Sequence, residues 1–397
     1  MTALPAAGVT VRLTRGFEDV AALRDEWESL PGLCITTDFD YFHAVIASEP
    51  SMLEPAVLTV LRDGRPEAMV IARLEDVALS FKLGYKTVYE PSVRSLTVVY
   101  RGFRGDLDDE TSSRVVRELA RLLEEGEIEN VIFRRLDTGH PLFRAATTEP
   151  RFLVRQHHTR TGVCWELSLP PSFDAFLQSL SKSTRSGVKR YANKLERDFS
   201  GRMRVAKLTD SSDLDDYFRD ADAVASRSYQ RGLGVGVRDD ASQRLRARLA
   251  MERGWFRAYV LYVDESPIAF CGGEAYGGRF YYGIPGYDPA YGDYRVGNYV
   301  LMKMIEDLCE DAGITVLDLG FGDAEYKRRF GDRSWPEADV HLFAPRFRPV
   351  SINVLRTTIL KANDAMAAAA RSLGIVGRVK QRWRRRAAST ASDDQGA

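Results

Sequence analysis

One hairpin signal occurs twice in the chain, with the same residues in the same places at an offset of 201. In AVLTVLRDGRPEAMVIARLED (56–76) two β-rich runs flank Asp63-Gly64, and Pro66-x-Ala68 opens the second run. In FRAYVLYVDESPIAFCGG (256–273), Asp264 and Pro267-x-Ala269 hold the equivalent positions. Further along, LLEEGEIENVIF (122–133) is similar to LCEDAGITVLDL (308–319) at an offset of 186. The element order repeats as well: a helix, a hairpin, a strand, an amphipathic helix and a strand. Such a period implies two copies of one α/β unit with a mixed sheet. Because the two offsets differ, one copy carries an insertion between its hairpin and its helix.

The rest of the pattern fits this division. Residues 17–30 place Val20, Leu23, Trp27 and Leu30 on one helical face, and residues 111–125 do the same with Val115, Leu119 and Leu122. NVIFRRL (130–136) reads as a strand, and the irregular stretch 137–162 marks a boundary. The second copy has helices over about 213–230 and 298–312 and a strand at 314–321. The expected domains are 1–150, 151–348 and a helical, basic tail over 349–397 with its last ten residues disordered. Between the copies, SLSKSTRSGVKRYANKLERDF (179–199) sets Lys182, Arg185, Lys189, Arg190, Lys194 and Arg197 against Glu196 and Asp198. That segment reads as a solvated helix face or as an electropositive wall for an anionic donor.

Composition excludes several classes. The 397 residues carry zero formal net charge, so the whole chain does not read as a nucleic-acid binder. No apolar run approaches the ~18 residues that span a bilayer. The N-terminus shows no basic segment followed by an apolar one, and Cys34, Cys164, Cys271 and Cys309 lie far apart. A cytoplasmic protein with reduced thiols is expected. The five histidines are scattered and no metal-ligand spacing occurs, so no metal site is expected. Charge is nonetheless uneven: Arg371 to Arg386 holds seven Lys or Arg and no acid. With Leu373, Val376, Val379 and Trp383 at helical spacing, 371–386 reads as a surface for an anionic membrane, an acidic carrier protein or nucleic acid, or as a solubilising tail.

The chemistry concentrates in YDPAYGDYRVGNYVLMKMIEDLCEDAGITVLDLGFGDAEYKRRFG (287–331). A Gly-, Pro- and Asp-rich loop leads into a helix near Asn298. A helix N-terminus offers unpaired N–H groups and the positive end of the dipole, so Arg295, Val296, Gly297 and Asn298 are the expected phosphate-holding residues. This is neither a GxxxxGK[ST] loop nor a GxGxxG fingerprint. GLGVG (232–236) follows a helix rather than a strand and reads as a loop.

The run Asp318-x-Gly320-x-Gly322-x-x-x-Tyr326-Lys327-x-x-Phe330, with Tyr287-Asp288-Pro289 and Gly297 before it, resembles the CelD-like branch of the GNAT acyltransferases. Helix 17–30 and the basic segment 182–197 fit the same layout, and the resemblance spans roughly 15–345. That branch is similar in architecture to the Fem-type peptidyltransferases, which have two GNAT-like units in tandem. The resemblance implies acyl transfer from a thioester, acyl-CoA or an acyl carrier protein, to an amine on a small molecule, peptide or saccharide, without a tightly bound cofactor. The family's donor loop reads R/Q-x-x-G-x-G/A, and only Arg295 and Gly297 of it are present here. A tRNA-dependent aminoacyl transferase of Fem type and a non-catalytic accessory protein of polysaccharide biosynthesis remain open alternatives.

An alkyl ammonium with pKa ~10.4 costs roughly 4.6 kcal/mol to deprotonate at pH 7, so the site needs a base. The resemblance implies a carboxylate base near the strand that precedes the donor loop; Glu274 in CGGEAYG, among apolar residues that raise its pKa, is either that base or a solvated carboxylate at a hairpin tip. Asp318, flanked by apolar residues, is either a base or the anchor of the turn at 320–327. Gly320 and Gly322 are expected to let the strand turn sharply beside the donor arm. The resemblance implies that Tyr326 protonates the departing thiolate, and Lys327 is expected to pair with Asp318 or contact the donor. The N-terminal copy lacks these residues and is expected to be degenerate.

Overall fold

The computed structural model describes residues 8–49, 51–84, 86–228 and 236–372. The first half runs β1 (Val9–Arg15), α1 (Phe17–Ala21), α2 (Arg24–Ser29), α3 (Phe39–Ser48), β2 (Met52–Arg62), β3 (Arg65–Ala78), β4 (Phe81–Leu83), β5 (Lys86–Tyr89), β6 (Ser92–Gly105), α4 (Asp109–Glu125), β7 (Asn130–Asp137) and α5 (Pro141–Thr148). The second half runs β8 (Thr161–Ser168), α6 (Phe173–Ser179), α7 (Lys182–Asp198), β9 (Met203–Leu208), α8 (Leu214–Arg227), α9 (Ala241–Glu252), β10 (Phe256–Val263), β11 (Ser266–Tyr276), β12 (Arg279–Tyr282), β13 (Gly286–Tyr287), α10 (Val296–Glu310), β14 (Val316–Phe321) and α11 (Glu325–Phe330). β15 (Arg333–Phe343) and α12 (Phe347–Ser372) close the described chain. No helix among the described residues is long and apolar enough to cross a membrane.

The chain forms two compact units. One holds the described residues up to Gly162 together with those from Trp335 onward, and the other holds Val163–Ser334. In the first unit the strand order is β1-β2-β3-β6-β7-β15, with β6 and β7 parallel. In the second it is β9-β10-β11-β12-β14-β8, with β12 and β14 parallel. The two orders are equivalent strand for strand. The hairpins match in detail: the register shifts between Val60 and Leu61 in one and between Leu261 and Tyr262 in the other. Asp63 and Asp264 both take positive φ, 51° and 50°. The insertion expected from the unequal offsets is the β4–β5 hairpin between β3 and β6.

Each sheet is covered on both faces, which a mixed sheet with a parallel pair requires. In the first unit, Ala68, Val70 and Ala72 of β3 pack toward Val115, Leu119 and Leu123 of α4. Met69 and Ile71, pointing the other way, meet Trp27, Phe39 and Phe42. In the second unit, Ala269 and Cys271 of β11 face Val300, Met304 and Ile305 of α10. Phe270 faces Phe218 and Ala221 of α8 and Met251 of α9.

Three expectations change. The predicted helix 17–30 is two short helices, α1 and α2. The expected boundaries at 150 and 348 do not coincide with the compact units. β15 lies in the first unit, pairing antiparallel with β7 and placing Val340, Leu342 and Ala344 in its core. The sixth strand of each unit therefore comes from the segment that follows the other copy's parallel pair. The described part of the predicted tail, 349–372, is no appendage. Ile352 joins the first unit's core, Asn353 Nδ2 donates to the Arg155 carbonyl at 2.9 Å, and Asn363 Nδ2 donates to the Lys82 carbonyl at 2.7 Å. The basic stretch beyond Ser372, and all of GLGVG except its last glycine, lie outside the described residues.

Candidate functional site

β12 and β14 run together only briefly. Their pairing covers Arg279–Tyr281 against Val316–Asp318. Beyond that point β12 stays with β11, the Gly283 amide donating to the Gly272 carbonyl at 2.8 Å. β14 instead follows β8, with Gly320 and Phe321 opposite Trp165 and Cys164. The two strands thus splay apart after Tyr281 and Asp318. Ile284 and Phe321, one past each side of the split, are 50% and 36% exposed, so apolar surface lies open at its rims.

The strand register sets four polar side chains in one lateral row. Glu274 pairs with Tyr281, Tyr281 with Asp318, and Asp318 with Glu166. Directly opposed residues share a face, and for Glu274 this is the face that meets α8 and α9. Glu274 is half-buried, and burial pushes its carboxyl up to about 7, with the Arg246 charge pulling the other way. Its charge in turn helps raise the hydroxyl of buried Tyr217, after burial itself. A carboxyl poised near neutrality is suited to general-base work.

Asp318 has a different environment. Its side chain is 3% exposed and lies 3.9 Å from Arg279, which also pairs with the buried Glu166. Asp318 Oδ1 accepts the Gly320 amide at 2.8 Å. Of its two expected roles, the geometry favours the anchor of the turn. Gly320 and Gly322 take φ of 76° and 103°, the left-handed region that a side chain disfavours.

Tyr326 lies on the other side of the sheet. Its ring packs at the edge of the α10-facing core, 6.2 Å from that of Tyr282. Burial holds the Tyr282 hydroxyl well above its ordinary value. Lys327, next in sequence, is buried and folds back: Nζ donates to the carbonyls of Gly320 at 3.1 Å and Phe321 at 2.8 Å. It clamps the glycine turn through these carbonyls, an engagement the sequence did not specify.

The donor-loop residues gather at the start of α10. Asp288 accepts the Ala290 amide at 2.9 Å and pairs with Arg227 at 3.2 Å, fixing the turn that follows β13. The chain enters α10 through Arg295, which takes φ 56° and leaves the helix without a side-chain cap or any acid in its first turn. The dipole at this end is therefore not offset locally. The Arg295 and Arg190 guanidinium groups lie 5.3 and 4.9 Å from the centre of the Tyr191 ring. Hydrogen bonding to Arg295, then to Arg190, draws the Tyr191 hydroxyl below its ordinary value. Both arginines border a cavity of about 400 Å³ among α6, α7 and α10, with Asn298, Lys303 and Arg329 also on its wall. Packing also bears on two of these residues. The Val296 side chain is fully buried in the core, so only its backbone faces the loop. At Gly297 a Cβ would stand 3.4 Å from the Tyr287 ring, so this glycine answers to packing against Tyr287 as well as to any ligand.

Glu166, Arg279, Tyr281, Tyr282 and Tyr191 escaped the sequence reading. A lone carboxylate in the apolar run VCWELS (163–168) was the one available sign of Glu166. The others depend on register and helix placement, which no local pattern encodes.

The first unit has the same split, since β6 and β7 pair only over Ser95–Val98 and Asn130–Phe133. Its helix start is built differently. Asp108 caps α4 by accepting the Thr111 amide at 2.8 Å, and Asp109 and Glu110 follow in the first turn. Arg62 bonds Asp108 at 3.1 Å and Glu110 at 3.2 Å.

A family model described as an acetyltransferase (GNAT) domain matches residues 182–328. No curated protein matches the chain significantly. Among solved structures, FemX aligns with a TM-score of 0.57 at 11% identity, over 86% of this chain and 100% of FemX. A tandem GNAT protein from the clavulanic acid biosynthesis pathway aligns with a TM-score of 0.47 at 10% identity, over 84% of this chain and 98% of its own. At 11% identity the likeness to FemX is one of fold; the GNAT domain match lies within the second unit, whose strand order the first unit repeats.

Proposed function

We propose that this chain, which carries a GNAT-type acetyltransferase domain over residues 182–328, moves an acyl group from a phosphopantetheine thioester to an amine. The observation that carries this reading is the split between β12 and β14, with a near-neutral carboxyl on one face and a tyrosine on the other. The thioester carbonyl enters between the strands. Glu274 takes the proton of the acceptor ammonium, and the freed nitrogen attacks the thioester carbon. As the tetrahedral intermediate collapses, the C–N bond is kept and the C–S bond breaks. Tyr326 gives its proton to the departing thiolate, so an amide and a thiol leave. The nitrogen sheds its second proton as the intermediate collapses, that proton is made good on the Tyr326 phenolate through solvent, and Glu274 releases its own proton to solvent.

The start of α10, Arg295 and Arg190 hold the donor's phosphate by charge-assisted hydrogen bonds. The first unit takes no donor phosphate, because carboxylates already occupy the equivalent helix start. The acceptor is an amine on a small molecule, peptide or saccharide.

The test is thiol release from acetyl-CoA and longer acyl-CoA thioesters with a panel of amines, alongside mass detection of the amide. Amine-dependent thiol release is expected for at least one pair. Neither turnover nor binding with any thioester, from CoA or from a carrier protein, would sink the reading.

A further inference from the structure

α7 buries little of itself: among its side chains, Leu195 alone is fully buried. Lys182, Arg185, Lys189, Arg190, Lys194 and Arg197 line one exposed surface, interrupted only by Ser186 and Asn193. Elsewhere among the described residues, several cations are matched by carboxylates. Arg15 meets Glu54 and Glu127, Arg62 meets three carboxylates, and Arg244 meets Asp215 and Asp239. On α7, among the described residues, Arg197 pairs with its neighbour Asp198 at 2.9 Å, and the charge of Lys194 also reaches Asp198. Lys182, Arg185 and Lys189 meet no carboxylate within ion-pair distance among the described residues. A merely solvated face gains from interspersed acids, as other helices of this chain show, and α7 forgoes them.

We infer that this face of α7 is the docking surface for an acidic carrier protein, which presents the thioester on its phosphopantetheine arm. The inference rests on the proposed acyl transfer and names its donor. Three observations support it. The surface is continuous with the donor cavity, because Lys189 and Arg190 border both. A partner seated outside α7 can thus pass an arm along the helix toward Arg295. At the start of α10 the loop keeps only Arg295 and Gly297 of the family's donor pattern, with Arg190 of α7 beside Arg295. That suits the single phosphodiester of a carrier-bound arm better than the pyrophosphate and 3′-phosphate of CoA. Finally, a helix of 17 residues spans about 25 Å, the scale of one acidic helix laid against it. A nucleic acid fits less well. The chain is neutral, and the rings nearest the surface, Tyr191 and Tyr294, are already covered by Arg190, Arg295 and Lys194 rather than free to stack on bases.

The test compares acyl carrier protein and CoA charged with the same acyl group, using the full chain and a Lys182→Glu/Arg185→Glu variant. Both positions lie on the outer surface and not on the donor cavity wall. The wild type is expected to favour the carrier donor at least tenfold in kcat/KM at low salt, with the preference falling as salt rises. The variant is expected to lose that preference through KM while its CoA reaction is unchanged. Equal effects on both donors would overturn the inference, as would CoA being the better donor for the wild type. Displacement of the carrier by bulk tRNA at lower concentration than an unrelated acidic protein would also overturn it. Should neither donor turn over, carrier binding by fluorescence anisotropy still decides the docking question: variant-sensitive binding upholds the surface while the acyl-transfer reading fails, and no binding rejects the surface.

Discussion

Asp318 holds the Gly320 amide at 2.8 Å, so the carboxylate at the end of β14 fixes the turn that parts β14 from β12. Asp318→Asn keeps an oxygen in that position and is expected to retain most turnover, with a stability loss of about 1 kcal/mol. Asp318→Ala removes the acceptor and is expected to cost about 2–3 kcal/mol. Urea denaturation beside kcat measurements checks both. Complete loss of turnover in a folded Asp318→Asn protein would instead make Asp318 the base.

Glu274 links pH to both rate and stability. Its folded carboxyl titrates at about 7, well above the ~4.3 of an unfolded chain. Between those values the folded state binds a proton that the unfolded state has lost, so this group subtracts stability as pH rises through the window and subtracts most above it. Glu274→Gln is expected to melt higher than wild type at pH 8, by on the order of 2 kcal/mol, and equally at pH 4. Wild-type kcat/KM is expected to rise with pH and level off above about 7. The variant is expected to lose about a hundredfold and show no such rise. A variant with an unchanged pH profile would remove Glu274 from the base role.

The exchange of sixth strands predicts how the chain tolerates cutting. Val163–Ser334 holds every strand of its own sheet and is expected to unfold cooperatively when expressed alone. Met1–Gly162 lacks β15, whose Val340 and Leu342 are fully buried, and is expected to stay unfolded until 335–372 is supplied in trans. Cooperative melting of 1–162 by itself, followed by circular dichroism, would show that β15 is dispensable.

The repeat made the architecture legible because each hairpin carries its turn chemistry locally: Asp63 and Asp264 take the same positive φ that their sequence contexts share. Gly320, Gly322 and Asp318 drew attention for the same reason, since glycines at a strand end and a carboxylate in an apolar run stand out locally, whereas Tyr326 was singled out by the family resemblance. What stayed hidden is what pairing decides. Nothing near Glu166 says that it will lie two strands from Tyr281, and nothing near Lys327 says that it will turn back onto carbonyls six and seven residues earlier. The strand exchange was hidden too, because β8 and β15 each look like the natural last strand of the copy they follow.

Tyr326 packs its ring beside Tyr282 at the edge of the core, and a phenylalanine keeps that ring. Tyr326→Phe is therefore expected to fold. If the hydroxyl protonates the departing thiolate, its loss matters only when the thiol is a poor leaving group. Turnover of an alkyl thioester is expected to fall by about a hundredfold or more. An aryl thioester, whose thiolate needs no proton, is expected to react in the variant at close to the wild-type rate. The decisive measurement is the ratio of the two donors in wild type and variant. An equal loss with both would place Tyr326 in packing or donor positioning rather than in proton transfer.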